Sequence, residues 1–252
     1  MGLRLYMAQI NPTVGDIKRN YKLILSHIEK AKENNVDLAI FPELALTGYP
    51  PEDLLLKDAF IKENIDYIGK IKEEISGIAA IVGFANSHNG SLFNSAAVMC
   101  GKKIISIYNK QHLPNYSVFD EQRYFNKGNI NYLYRINGHL VGLNICEDIF
   151  YAYGPARAQA AGGAELIINI SASPYHSGKI GSREKMISAR ASDNMVNIAY
   201  LNMAGGQDEL VFDGNSILVN EKGDILARCL PFAEDSLIYD IDPGSAGQAR
   251  AG

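Results

Sequence analysis

The sequence predicts an α/β protein of stacked α and β layers, and three observations carry that reading. Strand-like and helix-like patterns alternate along most of the 252 residues. Short apolar runs bounded by Pro or Gly recur between amphipathic stretches, as buried strands do. Hairpin signals interrupt the alternation, so the sheets are mixed and must be covered by helices.

Taken in order, residues 3–10 form a first strand. Residues 16–35 form a helix, because Ile17, Tyr21, Ile24, Ile28 and Ala31 recur at spacings of three and four on one face. Residues 37–41 make a short buried strand that Pro42 ends. Pro51 opens a second helix running to about residue 75, since Pro suits the first helical position. A strand at 79–84 follows, then 94–99 and 103–109, paired across Cys100-Gly-Lys102. Residues 132–136 and 140–146 flank Asn137-Gly138, a strong two-residue hairpin signal. A helix at 155–161, a strand at 166–170 and a helix at 183–195 come next, then strands at 198–202, 216–220, 224–229 and 237–240. No repeat or linker breaks residues 1–242, which read as one domain. The Gly-rich segment 243–252 reads as a linker or appended tail.

Composition excludes several function classes. Hydrophobic residues are 47% and charged residues 21%, too apolar for a disordered chain. Lys plus Arg is 24 and Asp plus Glu is 28, a net charge of −4, which argues against nucleic-acid or membrane-surface binding. The first ten residues lack the apolar core of a signal peptide, and no window approaches the roughly 18 apolar residues of a membrane span. Three scattered cysteines, with no C-x-x-C pair, offer neither a disulfide framework nor a zinc site, and suit a reducing cytoplasm. Five histidines show no metal-ligand spacing, and His27, on the first helix, reads as a surface residue.

Three titratable residues stand apart. Glu43 follows the run Leu38-Ala-Ile-Phe-Pro42, Lys110 follows Ile104-Ile-Ser-Ile-Tyr-Asn109, and Cys146 follows Leu140-Val-Gly-Leu-Asn-Ile145. Each stands at the carboxyl end of an apolar strand, where open α/β sheets place their ligand crevices. Together they would suit nucleophilic acyl chemistry: a thiol needs a base to become the attacking thiolate. A carboxylate withdrawn from water can take that proton, and an ammonium can hold an oxyanion. Singly, each has a plainer use: Cys146 as a small core hydrophobe, Glu43 as a helix cap, Lys110 as a solvated edge charge. Spacing alone does not show that the three meet. Cys100 and Cys229 lack acidic or basic company and read as structural.

The strings Phe41-Pro-Glu-Leu-Ala-Leu-Thr-Gly-Tyr49, Tyr108-Asn-Lys-Gln-His-Leu-Pro114 and Asn144-Ile-Cys-Glu-Asp148 resemble the Glu, Lys and Cys motifs of the nitrilase (carbon–nitrogen hydrolase) superfamily. They occur in that family's order, and the likeness runs from about residue 3 to 242. Thr47-Gly-Tyr-Pro-Pro-Glu-Asp-Leu54, residues 113–125 and Ser171-Ala-Ser-Pro-Tyr175 are similar to the glutaminase domain of the glutamine-dependent NAD synthetases. The resemblance implies an α-β-β-α sandwich of two mixed sheets covered by helices. It implies that Glu43 is the general base, Lys110 the oxyanion-stabilising lysine and Cys146 the nucleophile. Glu121 matches a supporting second glutamate, though Phe119-Asp-Glu121 departs from the more usual Gly-Glu form. Tyr116, Ser173 and Lys179 match positions that contact bound glutamine.

By the same resemblance the partner is an ATP-using synthetase domain, whose Ser-Gly-Gly-x-Asp-Ser loop is absent from these 252 residues. Ser177-Gly-Lys179 is no phosphate-binding loop. The expectation is therefore a glutaminase needing no metal or organic cofactor, with ATP used only by the absent part, and a homo-oligomer. Other readings are a nitrilase-type amidase for a different amide, a Cys–His hydrolase using His112 or His176, and a non-catalytic binding domain of the same fold.

Overall fold

The computed structural model describes residues 2–247, Ser245 excepted. β1 (Leu3–Gln9), β2 (Leu38–Ile40), β3 (Ala79–His88), β4 (Ser91–Cys100), β5 (Lys103–Asn109) and β14 (Asp235–Ile241) form one six-stranded sheet in the order β14-β1-β2-β3-β4-β5. The second holds β6 (Leu133–Ile136), β7 (His139–Ile145), β8 (Leu166–Ser171), β9 (Asn197–Asn202), β12 (Ile217–Val219) and β13 (Ile225–Arg228), in the order β13-β12-β9-β8-β7-β6. Each sheet has three parallel strands at its centre and antiparallel strands outside.

The central strands are apolar on both faces, and the two-residue period of a strand sorts them. Leu5, Met7, Leu38, Ile40 and Ile81 meet Val141, Leu143, Ile168 and Ile170 between the sheets. The alternate residues, Tyr6, Ala8, Ala39 and Val82, face outward onto α1 (Ile17–Glu33) and α2 (Asp58–Glu74). On the other side Ile167, Ile198 and Tyr200 pack under α3 (Pro155–Ala161) and α4 (Lys179–Asn194). The expected α-β-β-α sandwich is what forms.

Several details depart from the sequence reading. His27 is not a surface residue: it is buried, and its Nδ1 lies 2.7 Å from the Tyr6 hydroxyl. Polar His27 lies on the inward face of α1, where Tyr6 gives its ring nitrogen a partner. Pro51 opens a 3₁₀ turn, Glu52–Leu56, rather than the long helix; Lys57 is extended and α2 starts afresh at Asp58. Helix α4 begins at Lys179 instead of Arg183, because Gly178 takes the left-handed conformation that starts it. A hairpin of β10 (Ala204–Gln207) and β11 (Leu210–Asp213) was not anticipated, since Ala-Gly-Gly-Gln has little strand character. Of the expected tail 243–252, Ser245 and residues 248–252 lie outside the described residues; Ala246 is buried, its N–H donating to Pro243 O at 3.1 Å. No helix among the described residues is long and apolar enough to cross a membrane.

Candidate active site

Glu43, Lys110 and Cys146 follow the carboxyl ends of β2, β5 and β7, and all three side chains are buried. Lys110 Nζ donates to Glu43 Oε1 at 2.6 Å and to Glu121 Oε1 at 2.8 Å. One ammonium thus bridges two carboxylates with almost no water contact, a placement that needs the other lone pairs satisfied. Asn94 Nδ2 donates to Glu43 Oε1 at 2.6 Å, and the Ala172 N–H donates to Glu43 Oε2 at 2.8 Å. The Tyr49 hydroxyl donates to Glu121 Oε1 at 3.0 Å.

Cys146 sits at φ +43°, a left-handed conformation unusual for a residue with a Cβ, at the sharp turn from β7 into a 3₁₀ turn, Cys146–Ile149. Leu44, next to Glu43, has φ +46°. Burial and then the charge of Glu43 push the Cys146 thiol well above its ordinary range, Lys110 opposing. Burial would lower the Lys110 ammonium, but Glu121, Glu43 and Cys146 outweigh it and hold Lys110 well above the ordinary lysine value. Burial raises Glu121 to about 7, against the pull of Lys110 and with Glu43 adding to the rise. Lys110 is thus fixed between two carboxyl groups with a high-pKa thiol alongside, an arrangement fit for base-assisted attack on a carbonyl.

Comparison with known proteins shows the family. A family profile described as carbon–nitrogen hydrolase matches residues 4–251. The chain belongs to the carbon–nitrogen hydrolase family. A glutamine-dependent NAD(+) synthetase from Aquifex aeolicus is 45% identical over 249 residues, covering 98% of this chain and 44% of that protein. A glutamine-dependent NAD+ synthetase structure from Acinetobacter baumannii, in complex with ADP, superposes with a TM-score of 0.93 at 35% identity, covering 98% of this chain and 47% of that one. An amidase of the nitrilase superfamily from Nesterenkonia AN1 superposes with a TM-score of 0.86 at 24% identity, over 98% and 94% of the two chains, a likeness of fold. The chain spans less than half the length of the synthetases that it matches.

Near this buried cluster, Tyr116, Phe119, Pro174, His176, Lys179, Glu209 and Leu210 line a cavity of about 290 Å³. The Tyr116 hydroxyl donates to Glu147 Oε1 and Oε2, both at 3.0 Å, and Glu147 adjoins Cys146. Burial and Glu147 raise Tyr116 far above its usual value. Lys179 Nζ lies 5.1 Å from the Phe150 ring centroid. Ser173 is buried next to Pro174, its N–H on Asn202 Oδ1 at 2.8 Å. Of the rival histidines, His112 stacks on Tyr151 with its Nδ1 3.2 Å from Asp148 Oδ1, and His176 Nδ1 sits 3.0 Å from Ser177 O.

Sequence reasoning missed Asn94, the Ala172 N–H and Asp148. Asp148 Oδ1 accepts from Gln111 N at 3.0 Å and His112 N at 2.8 Å, while Oδ2 accepts from Ile145 N at 3.1 Å and the Tyr108 hydroxyl at 2.8 Å. It fastens the Lys110 segment to the Cys146 turn. A signal was available for it, as it lies inside the Cys motif. Asn94 gave none, being one polar residue in a strand. Among the described residues, no group of three or more His, Cys, Asp or Glu is placed to hold a metal.

Proposed function

We propose that the chain is a glutamine amidohydrolase, hydrolysing the side-chain amide of L-glutamine through a Cys146 thioester. The observation that carries the reading is Lys110 Nζ held at 2.6 Å from Glu43 and 2.8 Å from Glu121, with Cys146 within the field of all three. Glu43 takes the thiol proton as Sγ attacks the amide carbon. Lys110 and backbone N–H groups stabilise the oxyanion. The C–N bond then breaks, Glu43 returns the proton to the departing ammonia, and a thioester remains. Water, deprotonated by the same carboxylate, attacks the thioester and releases glutamate and the thiol. Glu121 holds Lys110 in place.

Glutamine is favoured over a simple amide because the adjoining cavity presents both Lys179 and Glu209, opposite charges suited to an amino-acid head group. Tyr116 and Ser173 complete the binding set. The names of the relatives support a further step, in which the ammonia feeds an ATP-dependent synthetase unit that makes NAD. The three free thiols suit the cytoplasm, and self-association is read by sedimentation equilibrium.

The test is ammonia release from glutamine, asparagine and aliphatic amides, with intact-protein mass spectrometry. Glutamine is expected to be the preferred substrate, with Cys146→Ala silent and no acyl adduct on it. Full turnover by Cys146→Ala would remove the scheme. Equal turnover of aliphatic amides would point instead to a general amidase.

A further inference from the structure

Helix α4 carries a buried ion pair that the chemistry above does not use. Arg183 Nη1 and Nη2 donate to Asp213 Oδ1 and Oδ2 at 3.0 and 2.5 Å, and Nη2 also reaches Gly214 O at 3.3 Å. Both side chains are essentially inaccessible, 1% and 0% exposed. The guanidinium also lies 5.5 Å from the Tyr200 ring centroid. Burying such a pair gives little net stability, because desolvation offsets the attraction; apolar replacements are often neutral or better. Stability is thus a weak reason for its presence, and its location supplies a better one.

Arg183 is one helical turn beyond Lys179, so both project from the same face of α4. Asp213 ends β11, the strand that begins at Leu210. Lys179 of α4, and Glu209 and Leu210 where β11 begins, all line the cavity beside the proposed catalytic centre. The ion pair therefore ties the helix that carries the lysine to the strand that follows the glutamate. Two further bonds join the neighbouring segments, Tyr175 N–H to Val211 O at 2.7 Å ahead of α4 and Asn215 Nδ2 to Glu184 Oε1 at 2.9 Å on it. Two turns further along α4, Arg190 Nε and Nη2 donate to Ile149 O at 3.1 Å and Phe150 O at 2.7 Å, at the end of the turn that opens with Cys146. One rigid helix thus refers both the nucleophile and the head-group wall to a common frame.

We infer that the Arg183–Asp213 pair is a positioning device that fixes the separation between Lys179 and Glu209, and so sets the affinity for the charged end of an amino-acid amide. The inference rests on the glutaminase reading. Bidentate geometry is what makes the pair suitable, since a planar fork fixes both distance and angle where an ammonium fixes neither.

The experiment uses Arg183→Lys and the double variant Arg183→Met/Asp213→Leu, which keeps the site filled without leaving an unpaired charge. Both are assayed for KM and kcat on glutamine and for alkylation of Cys146 by iodoacetamide, followed at that cysteine by peptide mass spectrometry. The expected result is a KM for glutamine raised by about tenfold or more, with kcat within about threefold and alkylation unchanged. Wild-type KM in either folded variant would overturn the inference. So would a parallel loss of kcat and alkylation rate, which would mark general damage to the centre. Failure of the wild-type protein to hydrolyse glutamine is a separate outcome, visible before any variant is made; it refutes the glutaminase reading and the inference with it.

Discussion

Glu43 reaches its position because β3 leaves room for it. A Cβ on Gly83 would lie 2.2 Å from Pro42 O, 2.6 Å from Leu44 N and 2.8 Å from Glu43 Cα. On the lysine side, a Cβ on Gly128 would lie 2.1 Å from Asn109 O, while the Gly128 N–H donates to Lys110 O at 2.8 Å. Two glycines thus let backbone close on backbone beside the two charged members of the centre. Gly83→Ala is expected to displace the Glu43 segment and lower kcat by roughly 100-fold, since misplacement of about an ångström is enough. Far-ultraviolet circular dichroism should stay native. Ammonia release at the wild-type rate would show that the segment relaxes without loss. Glu43, Lys110 and Cys146 were legible as candidates, because a charged residue or thiol ending an apolar strand breaks the local pattern; that their side chains come together was not legible from spacing. The glycines were not: nothing nearby in sequence says that Gly83 faces Glu43, forty residues away.

Elements are joined at this pole by Asp148. It receives two N–H groups from the segment after β5, one from the end of β7 and a hydroxyl from within β5, and so links the two sheets where Lys110 and Cys146 must coincide. Asp148→Ala would leave three backbone donors and a buried hydroxyl without their acceptor, at a cost of roughly 2–4 kcal/mol. The thermal midpoint is expected to fall by roughly 5–15 °C. A midpoint equal to that of the parent protein would mean that these donors find other acceptors. Strands and helices with clean periods, such as β1, α1, β7 and β8, were readable from sequence because burial enforces the period. The β10–β11 hairpin was not. Gly205 at φ +117° and Asp208 at φ +48° make it a product of backbone conformation and of its tie to α4, not of strand propensity.

For the molecule as a whole, two buried groups far apart set opposing responses to pH. His27, under α1, is pushed from 6.5 down to about 4, by burial first and then by Lys30, with Glu234 opposing. The folded state therefore binds fewer protons than the unfolded chain between about pH 4 and 6.5, and stability falls as pH falls through that window. Glu121, raised from 4.5 to about 7, acts the other way. The folded state holds more protons than the unfolded chain between about pH 4.5 and 7, so stability falls as pH rises there. Each gap corresponds to roughly 3 kcal/mol when fully developed. Over the shared interval near pH 4.5–6.5 the two slopes nearly cancel. Urea midpoints measured at half-unit steps should therefore separate two variants. His27→Gln leaves the Glu121 slope, giving stability that declines as pH rises. Glu121→Gln leaves the His27 slope, giving stability that climbs. Parallel curves for the two variants would refute this assignment. The opposition has a structural origin: burial keeps the His27 ring neutral in the outer helix layer, whereas burial between the sheets holds a proton on the Glu121 carboxyl beside the lysine.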